Sequence, residues 1–328
     1  PSTPKSSKSG ASLINKDLLT LSDVTRGQIL EIFKTAAKTK KNIKPYRKAL
    51  DGLTVVLLFE KASLRTRISF ETGINALGGT ALYMDHSAQR IGERESVKDY
   101  GRNLERWIDC IVARVYSQRA IDELALFADV PVINALSDRF HPCQALADMF
   151  TLWERPGSLE GIRLAWMGDG NNVCHSLMQA ATMLGVDMTI ITPHGYEPAA
   201  DVTEQCLTYA KESGAVLTFV DDPAAVEGHH AVYTDVWVSM GQGDQANERR
   251  AAFGPYAVTP EIMSLASKGV TGKRFPNGSV FMHCLPAQRG VEVLDEVMDS
   301  PASIVYDQAE NRMHAQNGLL LHIFGKSK

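Results

Sequence analysis

The chain has 328 residues, 44% of them apolar and 22% charged, with a formal net charge of −4. That length accommodates two domains of about 150 residues, and the slight acidic excess argues against nucleic acid or an anionic membrane surface as a partner. No apolar run approaches the roughly 20 residues that span a bilayer, and five widely spaced cysteines without a C-x-x-C point to a reducing, cytoplasmic setting rather than to a disulfide framework or a zinc module.

Residues 1–10 are rich in Ser, Pro and Lys and read as a disordered tail without the apolar core of a signal peptide. Leu18 to Lys38 reads as an amphipathic helix carrying Ile29, Leu30, Ile32 and Phe33. Leu53 to Phe59 is a continuous apolar run, the pattern of a parallel strand buried on both faces. A helix over 68–77 follows, stopped by Gly78-Gly79, then a short strand over 80–84. The stretch from Asp85 to Glu95 is polar and too long for a tight turn, the kind of loop that often carries function. Next come a helix from Ser96 to about Trp107, a strand over 110–113 with Arg114 at its end, and a strand over 130–134.

His141-Pro-Cys-Gln144 opens a helix running to Trp153, with Pro142 at the first helical position, where its missing N–H is harmless. Residues 154–158 read as a hinge. The alternation then restarts: strand 163–167, a Gly168-Asp-Gly-Asn-Asn172 loop, helix 173–184, and strands over 188–191, 231–235 and 280–284. A final helix covers 309–324. Two doubly wound α/β domains with mainly parallel sheets follow, with boundaries at 11–153 and 154–308. In such sheets, ligands sit beyond the C-terminal ends of the strands.

Every chemistry-bearing motif falls at such an end. Ser63-Leu-Arg-Thr66 stands where a strand gives way to a helix, whose first-turn N–H groups and partial positive charge suit a dianion; Arg65 adds a planar fork for two phosphate oxygens. Arg114 ends a strand. His141 and Gln144 share one face of a helical first turn, where one can donate to a carbonyl oxygen and the other accept from an amide nitrogen. Gly168-x-Gly170 invites a dinucleotide reading, but the third glycine position is Val173, and no acidic residue ends strand 188–191. Asn172 can instead meet a carboxylate or amide. Asp235-Val-Trp-Val-Ser-Met-Gly241 places a carboxylate at a strand end before a turn, a receptor for an α-amino acid. His283 and Cys284 are strand neighbours expected to point to opposite faces, so they make a poor dyad and a poor metal pair; His283 reads as a packed residue and Cys284 as acting with another group. Taken singly, each motif fits an ordinary role equally well: a Ser cap beside solvated arginines, a strand-end cation in water, a Pro-containing cap, an Asp cap beside a buried Trp.

Together, Ser63-Leu-Arg-Thr-Arg67, His141-Pro-Cys-Gln144, Asp235-x-x-x-Ser-Met-Gly241 and His283-Cys-Leu-Pro286, in this order, resemble the aspartate/ornithine carbamoyltransferase family from about Lys16 to Phe324. The resemblance implies that the first domain binds carbamoyl phosphate through Ser63, Leu64 (by its backbone), Arg65, Thr66, Arg114, His141 and Gln144. Cys284 and Leu285 would lie near the reacting centre, and Arg312 would reach the ligand from a C-terminal helix that returns to the first domain. The second domain would bind L-ornithine through Asn172, Asp235, Ser239 and Met240. Arg114, His141, Asp235 and Cys284 would be the catalytic groups, with no metal or organic cofactor.

The resemblance also implies a homotrimer in which the 85–95 loop enters a neighbour's pocket. Here Gln89-Arg90 precede Ile91-Gly92, and either Gln89 or Arg90 would serve that site. Leu64 stands where the family often has Thr. Rival readings are transfer to another amine such as N-acetylornithine or putrescine, a nucleotide-linked oxidoreductase, and a non-catalytic amino-acid-binding relative.

Overall fold

The computed structural model describes residues 12–155, 157–238, 243–272 and 274–327. The chain divides into two compact units, residues 1–150 with 311–328, and residues 151–310. Ser239 and Met240 fall outside the described residues.

The first unit begins with α1 (Arg26–Lys41) rather than with a helix from Leu18. Thr20 and Asp23 close a separate single-turn 3-10 helix, and Thr25 then starts α1 with a reciprocal cap to Gln28. The succession continues through β1 (Thr54–Phe59), α2 (Leu64–Ala76), β2 (Thr80–Asp85), α3 (Val97–Leu104), β3 (Cys110–Arg114), α4 (Gln118–Phe127), β4 (Val132–Leu136) and α5 (Pro142–Glu154). All strand pairs are parallel, in the order β2-β1-β3-β4. β1 and β3 are buried almost throughout, which is why they read as unbroken apolar runs. Val56, Leu58, Ile111, Ala113 and Val132 pack on Ile91, Val97, Leu104, Ile121 and Leu124 to form one core layer. Helix α4, absent from the sequence reading, buries only Ile121 and Leu124.

The second unit comprises β5 (Arg163–Met167), α6 (Asn172–Leu184), β6 (Asp187–Ile191), α7 (Ala200–Ser213), β7 (Leu217–Val220), β8 (Ala231–Thr234), α8 (Ala246–Phe253), α9 (Pro260–Ala266), β9 (Val280–His283) and α10 (Asp295–Met298). Its sheet is also parallel, ordered β7-β6-β5-β8-β9. Trp166 of β5 and Tyr233 of β8 pack ring to ring at 5.2 Å beneath the strand ends. Helix α11 (Val305–Ile323) starts in this unit, and from Asn311 onward its residues belong to the first. No helix among the described residues is long and apolar enough to cross a membrane.

In each sheet the chain winds first to one side and then to the other. The reversal lies between β1 and β3 in the first sheet and between β5 and β8 in the second. Beyond the carboxyl ends of such a strand pair the following loops diverge and leave a crevice.

Candidate active site

At the first reversal, α2 starts at Leu64, four residues earlier than the sequence reading put it. Ser63 is its cap, with Oγ accepting from the Thr66 N–H at 3.3 Å. Leu64, Arg65 and Thr66 therefore form the first helical turn, where N–H groups have no acceptor in the preceding turn of the helix backbone and the helix dipole is positive. Leu64 is 73% exposed, so most of its side chain faces away from the core of the unit. Arg67 belongs elsewhere: it pairs with Glu71 and lies over the Tyr83 ring.

Arg312 of α11 comes to this turn. It is buried, with Nη2 donating to Thr66 Oγ1 at 3.3 Å and Nη1 donating to Gln144 Oε1. The Gln144 amide is fixed at its other end by donating to Asp148 at 2.7 Å. One guanidinium thus ties the first turn of α2 to the first turn of α5. The register of β3 against β4 slips between Ala113 and Arg114, the kind of irregularity that re-aims a side chain. Arg114 Nε donates to the Lys61 carbonyl at 3.2 Å. His141 is buried beside these cations: burial first, then Arg312 and Arg114, push its pKa well below the ordinary imidazole value. It is therefore a neutral ring at physiological pH, able to offer an N–H without carrying charge. Burial and the neighbouring Arg114 likewise lower the pKa of Lys61. Ser63, Arg65, Thr66, Arg114, His141, Gln144 and Arg312 all lie in this unit, with cations crowded as an anion site requires.

The 85–95 loop folds over the same end of the sheet. The Arg90 guanidinium lies 4.3 Å from the centre of its own chain's Tyr116 ring, and Lys61 Nζ lies 4.4 Å from the same ring. Gln89 is exposed, and its carbonyl meets His86.

At the second reversal, the Gly168–Asn172 loop is shaped by close packing rather than by a nucleotide: a Cβ on Gly170 would collide with the backbone of Pro198. Asn171 caps α6, accepting from the Val173 and Cys174 N–H groups at 2.9 and 3.0 Å. Its amide nitrogen donates to Asp235 Oδ2 at 2.9 Å. Asn172, the residue expected to meet ornithine, is the first residue of α6, and its side-chain oxygen also accepts from the Val173 N–H at 3.0 Å. The Cys284 thiol donates to the other carboxylate oxygen of Asp235 at 3.0 Å. Asp169 beside them pairs with Arg249 at 2.9 Å, and burial nonetheless raises its pKa. Arg249 also donates to the Trp237 carbonyl, steadying the segment that leads out of Asp235.

The expectation that His283 and Cys284 face apart needs correction. Strand β9 ends at His283, and Leu285 takes a left-handed φ of 59°. The chain therefore turns, and ligand-capable atoms of Asp235, His283 and Cys284 lie within 4.8 Å of one another. Both ring nitrogens of His283 are already engaged: Nδ1 accepts from the Leu285 N–H at 2.8 Å, and Nε2 faces buried Glu292 at 3.3 Å. No lone pair is left for a metal, and the ring instead braces the Cys284-Leu285 turn.

The comparisons with known proteins agree with this plan. The carbamoyl-P binding domain of aspartate/ornithine carbamoyltransferases matches residues 16–154, and their Asp/Orn binding domain matches residues 160–323. The chain belongs to the aspartate/ornithine carbamoyltransferase family. It is 48% identical over 309 residues to an ornithine carbamoyltransferase of Shewanella oneidensis, covering 94% of this chain and 99% of that one. It is 46% identical over 321 residues to an anabolic ornithine carbamoyltransferase of Pyrococcus furiosus, covering 97% and 99%. A solved ornithine carbamoyltransferase from Pyrococcus furiosus superposes with a TM-score of 0.90 at 45% identity, over 96% of this chain and 99% of that one. A mitochondrial ornithine carbamoyltransferase from Coccidioides immitis gives a TM-score of 0.83 at 34% identity, over 96% and 99%.

Proposed function

We propose that this chain transfers the carbamoyl group of carbamoyl phosphate to the δ-amine of L-ornithine, giving L-citrulline and phosphate. The role is that of arginine biosynthesis, the anabolic direction named for the Pyrococcus furiosus relative. The observation that carries the reading is the buried link from Arg312 to both Thr66 and Gln144. It joins a helix N-terminus suited to a phosphate with an amide suited to a carbamoyl group. That the relatives above are ornithine carbamoyltransferases favours ornithine over other amines.

The first unit would hold carbamoyl phosphate. The first-turn N–H groups of α2, with Ser63, Arg65, Thr66 and Arg312, bind the phosphate. Arg114 and neutral His141 donate to the carbonyl oxygen, where negative charge grows as the amine attacks. Gln144 orients the carbamoyl nitrogen. Asp235 in the second unit faces ornithine together with Asn172, Ser239 and Met240. The uncharged δ-amine adds to the carbonyl carbon, and the bond from that carbon to the bridging oxygen breaks. Phosphate leaves with that oxygen, its charge offset by Arg65 and Arg312. The amine's surplus proton passes to the Asp235–Cys284 pair, and phosphate is the final acceptor. The nucleophile belongs to the substrate, so this scheme needs no covalent enzyme intermediate and no metal or organic cofactor. Holding both substrates in register supplies much of the rate.

The protein would act as a homotrimer, with the 85–95 loop serving a neighbour's pocket through Arg90 or Gln89. Exposed Leu64 and Ile68, and Leu82 on the edge strand β2, suit burial against a second copy. Five free cysteines suit a reducing, cytoplasmic setting. The test is production of citrulline from carbamoyl phosphate with ornithine, N-acetylornithine and putrescine assayed in parallel. Product with ornithine alone is expected; faster turnover of either other amine would replace the substrate assignment.

A further inference from the structure

We propose that Glu60 is the positioning residue that fixes Arg90 and its aromatic support, Tyr116, for the neighbouring subunit's carbamoyl phosphate pocket; the proposal rests on the carbamoyl-transfer and shared-site readings above. Glu60 follows β1 directly, at the reversal point of the first sheet. A carboxylate there looks like an ordinary solvated strand end, but it is 4% exposed. A buried carboxylate needs partners, and Glu60 has two from separate segments. Oε1 accepts from the Ile91 N–H at 2.8 Å and Oε2 accepts from the Tyr116 N–H at 2.8 Å. The Glu60 N–H in turn donates to the Arg114 carbonyl at 2.9 Å.

What these bonds hold is specific. Ile91 immediately follows Arg90, and its side chain is locked into the core beside Val97 and Leu104. Tyr116 offers the ring on which the Arg90 guanidinium rests at 4.3 Å. One carboxylate therefore positions both the cation, through the adjacent peptide, and the π-face beneath it. The near half of the loop is tied down at His86, whose backbone N–H donates to the Phe59 carbonyl at 2.7 Å and whose ring meets the Tyr100 hydroxyl at 2.8 Å, while Arg90 N–H to Glu93, Ser87 N–H to Asp85 and His86 to the Gln89 carbonyl are local bonds. Glu60 thus sets where the far half of this polar loop meets the sheet.

Glutamine at position 60 keeps one acceptor and turns a second donor toward a backbone N–H, so one of the two segments is released at nearly constant volume. The experiment compares the full-length wild type, Glu60→Gln, Arg90→Ala and the double variant by citrulline production, with KM measured separately for each substrate. Loss of one hydrogen bond to a charged acceptor corresponds to about a tenfold or larger rise in KM for carbamoyl phosphate. The KM for ornithine should stay within about twofold. In the Arg90→Ala background the same substitution should have almost no effect on carbamoyl phosphate, because the group it positions is gone. A purely structural role would raise both KM values or act equally in both backgrounds, and either result overturns the proposal. Amide exchange gives a readout independent of turnover: the amides of residues 91 and 116 should exchange faster in Glu60→Gln, and unchanged protection at both contradicts the clamp. If Glu60→Gln does not fold, Tyr116→Leu, which removes the ring and keeps the backbone donor, should raise the carbamoyl phosphate KM only where Arg90 is present; a rise in both backgrounds overturns it. Absence of citrulline from the wild type would instead remove the carbamoyl-transfer reading, while the exchange data would still decide the clamp.

Discussion

Replacing Arg312 with Lys probes the link between the phosphate-binding turn and the carbamoyl-binding turn without removing charge. Arg312 is almost fully buried, and its fork reaches two acceptors on different elements, Thr66 Oγ1 at 3.3 Å and Gln144 Oε1. An ammonium on a flexible stem cannot reproduce that planar geometry, so at least one buried acceptor loses its charged donor. Such a loss destabilises by about 1.5–3 kcal/mol. The urea midpoint should therefore fall measurably while the unfolding slope stays the same. Because each 1.4 kcal/mol is a factor of ten, misplacement of the α2 turn relative to Gln144 should weaken carbamoyl phosphate binding by about 10- to 100-fold. Equilibrium binding of a non-hydrolysable phosphonate analogue measures this apart from turnover, and steady-state kinetics in ornithine measure the other substrate. A variant that binds the analogue within about twofold of wild type would refute the reasoning, since Arg312 would then neither organise the pocket nor meet the phosphate.

Three further outcomes follow from the geometry. Asp235→Asn removes the charge facing an ammonium while keeping a partner for Asn171, so it should impair ornithine use far more than carbamoyl phosphate binding; equal losses in separate titrations would make Asp235 structural. Mixing and co-refolding two inactive variants, Arg65→Ala and the paired Gln89→Ala, Arg90→Ala, should restore activity if sites are shared in a trimer, and a fully active loop variant or no restoration would contradict it. Burial pushes the Asp17 carboxyl up from 3.8 to about 6 despite the N–H that it accepts from Val132. The folded state therefore holds that proton more tightly than the unfolded chain, and the part of the stability that Asp17 contributes, read as the difference from Asp17→Asn, should decline as pH rises from about 4 to about 6, then level off. The pH curves of wild type and Asp17→Asn from urea melts should therefore diverge across that range, and parallel curves would show the assignment to be wrong.

The sequence displayed whatever depends on burial over several residues. β1 and β3 are apolar on both faces, so 53–59 and 110–113 read as parallel strands without ambiguity. The helices it missed bury little: α4 offers the core Ile121 and Leu124, and α7 only Val202, Cys206 and Ala210, too sparse a stripe to stand out among polar residues. Starts of helices were misplaced where caps compete, as with Thr20, Thr25 and Ser63, because a hydroxyl that closes a turn looks the same as one that opens a helix. The 63–66 motif, Arg114 and Asp235 do stand at or just beyond the carboxyl ends of strands, as the alternation of strands and helices implied. Atomic partnerships were not legible. Asn171 grips Asp235, His283 turns back on the Leu285 N–H, and Glu60 closes on Ile91 and Tyr116. Each depends on the path of a loop over distances that no local spacing encodes.

Attack of the ornithine δ-amine on the carbonyl carbon of carbamoyl phosphate can be followed with carbamoyl phosphate labelled with ¹³C in the carbonyl and ¹⁸O at the bridging position, by mass spectrometry through one turnover. The ¹³C should appear in the ureido carbon of citrulline and all of the ¹⁸O in phosphate, one phosphate per citrulline. Label from the bridging oxygen in citrulline, or phosphate released without citrulline, would contradict it.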